Sequence, residues 1–310
     1  MVEFVLRPEA SFRENIIRIA TSLNSDATQH LAKKTDIHES VHNARVCFKK
    51  LRAVLRLTEP QIGSKTYALE NMYYRDTSKK LSFLRDYTAS IEAIEELLKN
   101  RRSAESVAML NSLKRKLQLK RAATLRNAGV DDLFGTIQEQ NVLARGRIPT
   151  WELDDDVSEK LAKAFARNYN NAKKQYRVVA KNPTEINVHE WRKATKYFMY
   201  MVQLLRPLWP AIFTTYAREI NTLTDFQGLH HDFCVLEHQL HHIKSSAKHH
   251  QKTLKSLRAS IASQKKSLIA QGLEAGKRLF AFDAKELGKL IQLWYPKPVI
   301  LKNAPWPKAF

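Results

Sequence analysis

The sequence predicts an all-α protein, and three observations carry that expectation. Glycine and proline are scarce, 8 and 10 in 310 residues, whereas Leu, Ala, Lys, Arg, Glu and Gln fill the long segments, a composition suited to helices. Apolar residues recur at steps of three and four, the spacing of one helix face. No segment alternates in the two-residue period of a strand. The length admits one large domain or two ordinary ones, and either buries a substantial core.

In chain order, the first helix shows as Phe12, Ile16, Ile19 and Leu23, spaced four, three and four apart. Helical patterns follow at 37–58, 65–99, 103–127, 131–144, 157–180, 185–206, 212–243, 247–272 and 283–293. In ARGRIPTWELDDD an arginine pair, a proline and the acidic triplet Asp154, Asp155, Asp156 interrupt the periodicity, which predicts a linker at 145–156. The two sides of it resemble each other. VHNARVCFKKLRAVLRL, from Val41, and VHEWRKATKYFMYMVQLL, from Val188, both read Val-His-x-x-Arg with a lysine seven after the histidine. A duplicated unit of roughly 150 residues exceeds solenoid periods. It predicts two packed helical bundles related by a pseudo-dyad, 1–144 and 157–310.

Charge narrows the partner. There are 52 Lys and Arg against 31 Asp and Glu, a net charge of +21. Such a chain repels itself unless an anion is present, so nucleic acid, inorganic polyphosphate or an acidic membrane surface is implied, and charge alone does not rank them. Cys47 and Cys234, far apart inside helical patterns, offer neither a disulfide framework nor a cysteine zinc motif. The N-terminal MVEFVLRPEASFREN has no signal-peptide pattern, and no apolar run of about 18 residues suggests a membrane span. A soluble cytoplasmic protein is expected.

The basic residues are patterned. Over Ile37–Thr58 the apolar positions Ile37, Val41, Ala44, Phe48, Leu51 and Leu55 define the core-facing side. From Val41 on, a base follows each one: His42, Arg45, Lys49, Arg52 and Arg56. These five form a strip beside the core stripe, bordered on its other side by Val46, Ala53 and Leu57, while Lys50 is expected to face solvent. A solvated face mixes signs, yet His42 through Leu57 contains no acid. Cations crowded beside a core without partners are costly unless they line a wet groove or hold an anion. The second copy repeats the strip with His189, Arg192 and Lys196, then lapses into Met199 and Gln203, and is the weaker version. A third basic helix carries Lys244, Lys248, Lys252, Lys255 and Arg258, with groove and surface placement left open.

These residues carry a family resemblance. His42, Arg45, Val46, Lys49, Lys50 and Arg52 match, position by position, the first signature helix of the CHAD domain, named for its histidine and α-helices. His189, Glu190, Arg192, Lys193, Lys196 and Tyr200 resemble the partner signature, with Met199 where the family usually has an arginine. LSFLRDYTASI, with Arg85 and Asp86, is similar to the family's Arg-Asp segment, and QGLHHDFCVL, with Gly228, His231 and Asp232, to its Gly-x-x-His-Asp segment. The resemblance implies two pseudo-symmetric four-helix bundles around a basic central groove that binds inorganic polyphosphate without turning it over. It makes His42, Arg45, Lys49, Lys50, Arg52, Arg56, Arg85, His189, Arg192, Lys193 and Lys196 the expected ligands, with no cofactor, and polyphosphate granules a setting for the protein. Some relatives carry a triphosphate-tunnel domain with a Glu-x-Glu-x-Lys signature; this sequence contains none, so triphosphatase activity is not expected.

Chemistry agrees with that implication. A linear polyphosphate offers about one negative charge per phosphate and no base to read, so arginine forks and lysine point charges suffice. Single-strand nucleic-acid binders interleave bases with exposed aromatics, whereas Phe48, Trp191 and Phe198 fall on the core side. Single-stranded nucleic acid is the alternative partner. His38-Glu39-Ser40-Val41-His42 is a literal H-E-x-x-H, the motif of a zinc hydrolase. Asp36 and Glu39 have the spacing of a capping box, however, and the cations after His42 would repel a metal, so neither zinc nor another metal is expected. His230, His231, His238, His241, His242, His249 and His250 cluster in sequence and read as a titrating surface, with His231 and Asp232 as a bonded pair at a helix start.

Overall fold

A computed structural model describes residues 3–33, 36–99, 103–127, 129–241 and 248–295, apart from the side chains of Asn127, His241 and residues 248–250. Among these residues the regular structure is ten α-helices and two 3-10 turns, with no strand. Helix α1 (Phe12–Ala32) opens on a capping box in which Ser11 and Glu14 each accept the other's backbone N–H, and Phe12, Ile16, Ile19 and Leu23 are buried as their spacing predicts. Asp36 caps α2 (Ile37–Lys80), accepting the N–H groups of His38 and Glu39 at 2.9 and 3.0 Å.

Helix α2 is two antiparallel arms. Pro60 removes a backbone donor, and Gly63 adopts φ 75°, ψ 160°, a region that only glycine enters at little cost. The arms then pack face to face: Phe48 stacks on Tyr74 with centroids 5.9 Å apart, and Arg52 Nε donates to Asn71 Oδ1 at 2.9 Å. The periodic stretch 65–99 is therefore not one helix. Its first part is the second arm of α2, and α3 (Phe83–Lys99) begins after a break at Leu81 and Ser82, where Leu81 is buried and the Ser82 hydroxyl donates to the Lys79 carbonyl at 2.7 Å.

The remaining helices are α4 (Ala104–Asn127), α5 (Val130–Arg147), α6 (Ser158–Lys181), α7 (Glu185–Leu204), α8 (Pro210–His241), α9 (Lys248–Leu279) and α10 (Ala284–Trp294). The stretch 145–156 completes α5, forms a 3-10 turn at Ile148–Thr150 and buries Trp151 and Leu153. Two apolar clusters organise the helices. The larger gathers α1, α2, α5, α6, α7 and α10 with the start of α8 and the end of α9. The smaller joins most of α3, α4, the later part of α8 and the earlier part of α9. No described helix is long and apolar enough to cross a membrane.

Candidate functional site

The first arm of α2 and helix α7 face each other across a cavity of about 420 Å³. Its walls hold His42, Arg45, Lys49 and Arg52 from that arm, Arg75, Ser78 and Lys79 from the second arm, Arg85 and Asp86 from α3, His189, Arg192, Lys193, Lys196, Tyr197 and Tyr200 from α7, and His231 and Asp232 from α8. Nine arginines and lysines thus meet two carboxylates. Helices α2 and α7 pack on the larger apolar cluster, whereas α3 and this part of α8 reach into the smaller, so the basin lies where the two clusters meet.

The periodicity explains the lining. Val41, Ala44, Phe48, Leu51 and Leu55 are fully buried, and the base after each is turned just off that face. Arg45 donates to the Ser78 carbonyl, 33 residues on. Arg192 donates to the Thr224 carbonyl, 32 residues on. Each arginine also feels one carboxylate of the basin, Asp86 for Arg45 and Asp232 for Arg192. Gly228 makes room for this arrangement: a Cβ there would stand 3.2 Å from both terminal nitrogens of the Arg192 guanidinium.

Crowding of like charge shows in the titration of these groups. Burial, aided by Arg45, Arg192 and Lys196, lowers Lys49 to about 7. Burial and Arg192 lower Lys196 to about 8. Burial raises Asp232 to about 6 against the pull of Arg192, and lowers His231 to about 4, helped by His189 and Arg192. His42 and His189, at the open rim, are lowered by the same causes, and the His189 and His231 rings lie 5.1 Å apart. An anion entering the basin would find lysines ready to take up protons.

Not every expected ligand is here. Lys50 does not face open solvent and does not line the basin: it is half-buried, with Nζ 4.9 Å from the Phe4 ring centroid, because the N-terminal segment covers that side of α2. Arg56 stands past the end of the basin, donating to Asn71 Oδ1 at 3.2 Å and lying 3.8 Å from the Tyr197 ring centroid. Arg85 is at the rim, held by Glu92 through two bonds of 3.0 and 2.7 Å. Met199 is no gap in a stripe; it is a core residue, 3 % exposed, and the basin-facing positions after Lys196 are Tyr197 and Tyr200.

Sequence reasoning missed Arg75 and Lys79, because only the reversal at Gly63 brings them opposite Arg45 and Arg52. It also placed His231 and Asp232 at a helix start, whereas they sit well inside α8 and line the basin. Within the H-E-x-x-H stretch, His38 Nδ1 lies 3.3 Å from the Leu84 carbonyl and 3.4 Å from Thr88 Oγ1, and His42 faces the basin. Among the described residues no three His, Cys, Asp or Glu side chains are grouped to hold a metal.

His230 is buried and held neutral, at about 4, with Cys234 Sγ 3.7 Å from its Nδ1. His238 is largely exposed, 3.4 Å from Glu185. His242 and Lys244, and the side chains of His241, Lys248, His249 and His250, lie outside the described residues. Lys252 and Lys255 are exposed and Arg258 donates to the Leu240 carbonyl at 2.8 Å, so these members of the third basic helix stand on the surface and not in the basin.

Residues 21–241 match the family described as CHAD domain. Among solved structures, the chain is similar to the CHAD domain from the plant Ricinus communis, at 18 % identity and a TM-score of 0.64, covering 90 % of this chain and 95 % of that one. It is also similar to PptA from Streptomyces chartreusis, at 13 % identity and a TM-score of 0.60, covering 87 % of this chain and 100 % of that one. At these identities the two structures share the fold. No curated protein matches the sequence.

Proposed function

The chain belongs to the CHAD domain family, and we propose that it binds inorganic polyphosphate in the basin between α2 and α7 without turning it over. One observation carries the reading: nine arginines and lysines from three helices converge on one cavity lined by two carboxylates, Asp86 and Asp232, and only Arg75, Arg85 and Lys193 of the nine have ion-pair partners among the described residues, in Asp76, Glu92 and Glu190. Such a recess is unfavourable when empty and is relieved by a flexible polyanion that brings charge and acceptor oxygens but needs no base recognition. The paired settings of Arg45 and Arg192 support the two-repeat organisation, each half supplying an anchored arginine. A cytoplasmic protein held on polyphosphate granules is the setting this chemistry suits.

Single-stranded nucleic acid is the second reading, and Tyr197 and Tyr200 are the aromatics it would use. The Tyr197 ring is occupied by the guanidinium of Arg56, at 3.8 Å, with Arg52 at 5.3 Å. Tyr200 is buried and meets Phe4 edge to face. A base would have to displace Arg56 from Tyr197 or unbury Tyr200, which favours polyphosphate. Competition of labelled long-chain polyphosphate with single-stranded RNA and double-stranded DNA at several salt concentrations tests the choice. Polyphosphate is expected to win at every salt, with affinity falling steeply as salt rises; RNA of equal charge binding as well at physiological salt would replace this reading. Incubation with polyphosphate should release no phosphate.

A further inference from the structure

Helix α4 carries no acidic residue from Ser106 to its end, while Lys114, Arg115, Lys116, Lys120, Arg121 and Arg126 stand on it. Lys114 pairs with Glu95 at 2.7 Å. Arg115, Lys116 and Lys120 are exposed and form no ion pair among the described residues. The chain provides its own standard for an ordinary solvated face. On α3, α6 and α10 an exposed lysine pairs within a turn, as Lys99–Glu96, Lys163–Glu159 and Lys289–Glu286 at 2.5–2.8 Å. Helix α4 has no acid to pair with after Glu105, a feature that it shares with 248–266 of α9, but it is α4 that packs along α3.

The acid-free face is also joined to the basin. Helix α4 packs along α3, whose Arg85 stands at the basin rim. His38, at the start of α2, lies within electrostatic reach of both Arg85 and Arg121, the cation one position beyond Lys120. Arg121 thus stands by the start of α2, near Asp36 and the neutral His38, on the side where Arg85 opens the basin rim, and a polyanion passing from the basin to α4 would displace the Arg85–Glu92 pair.

We propose that α4 is a second polyphosphate-binding surface, an exit track on which a chain longer than the basin continues over Arg121, Lys120, Lys116 and Arg115. This rests on the basin as the primary polyphosphate site and gives the protein a reason to prefer long chains. None of the exposed α4 cations lines the basin, and at about 0.15 M salt screening acts over about 8 Å, so they should count most for a chain that lies directly on them.

The test compares tripolyphosphate with long-chain polyphosphate on three variants at that salt. Arg115→Glu/Lys116→Glu/Lys120→Glu should bind long chains about tenfold more weakly and tripolyphosphate within about twofold of the parent, from loss of the counterions those contacts release. Lys163→Glu/Lys277→Glu/Lys289→Glu, exposed on other helices, makes the same change in net charge and should leave both ligands within about twofold. Arg45→Glu should weaken both. Equal losses from the two triple variants, or an α4 variant that keeps full long-chain affinity while Arg45→Glu loses it, would overturn the track and leave the basin standing. An α4 variant that loses only RNA binding would also overturn it, marking a nucleic-acid surface. Loss from none of the three would remove the basin reading itself.

Discussion

Arg45 and Arg192 stand in matching surroundings, each tied to a backbone carbonyl across the basin and each near one aspartate, yet the walls around them differ. Beside Arg45 the first half adds Lys49 and Arg52, and Arg75, Lys79 and Arg85 line its rim. Beside Arg192 the second half adds Lys193 and Lys196, then turns to Tyr197 and Tyr200, and α8 contributes His231, whose ring burial keeps neutral. One local scaffold thus serves two purposes. The α2 side is the main source of permanent charge, and the α7 side closes the recess with rings and the deeply set Arg192 and Lys196.

The sharpest way to break this comparison is to force the second half to imitate the first. Met199→Arg places a cation in the larger apolar cluster and not in the basin, so it should cost about 4 kcal/mol of stability, the scale for an uncompensated buried charge. Thermal melts should fall by about 6 °C for a protein of this size. A variant that melts like the parent and binds polyphosphate more tightly would show that α7 presents Met199 to the ligand.

Next in size are the two anchored arginines. Arg45→Glu and Arg192→Glu should each weaken polyphosphate binding by about 3 kcal/mol, roughly hundredfold, because each leaves a repelling charge in a desolvated site. Titrations at fixed salt should find the two within about threefold of each other. A much smaller loss at Arg192 would reduce the second half to a wall.

A smaller effect follows from Lys49, which sits between the halves. Its folded-state value of about 7 lies below the ordinary 10.5, so the protonated lysine opposes folding below pH 7 and the opposition fades as pH rises towards 10.5. The free protein should therefore gain stability with pH over that window, while a bound anion, which favours the protonated form, should bind more weakly. For one linked proton, affinity should drop by up to about tenfold per pH unit above 7. Lys49→Arg, permanently charged, should reduce both slopes and leave the share of Lys196, which titrates near 8, as melts and titrations across pH 7–9.5 will show.

The smallest effect is expected outside the basin. Lys50→Glu changes net charge as Arg45→Glu does, yet should alter affinity by less than about twofold and stability by about 0.5 kcal/mol, the contact with Phe4. Equal losses from Lys50→Glu and Arg45→Glu would mean that net charge, and not the recess, does the binding.

Where periodicity alone decides a side chain's direction, the sequence was informative. The run His42, Arg45, Lys49, Arg52 sits one step off a buried face, and the structure turns all four into the basin. Lys50 was misjudged because its neighbour, Phe4, belongs to a segment without periodicity that folds over it. Arg75 and Lys79 gave no signal, since their importance depends on a chain reversal that a lone glycine allows but does not announce. Met199 and Tyr200 show the limit of matching residues by offset: a helix face drifts, and by α7's third turn the position that faces the cavity has moved by one. The His231–Asp232 pair was visible as residue types, but its depth within α8 depends on where that helix begins, at Pro210.

The basin's position between the two apolar clusters bears on how the molecule holds together. Interiors usually cohere through oil-like contacts that need nothing from outside, but along this junction the protein faces itself with like charges. A polyanion bound there as proposed would offset that repulsion and so add to the work of parting the two clusters. Occupancy would then register far from the ligand itself, as slower hydrogen exchange in the core helices on both sides of the junction.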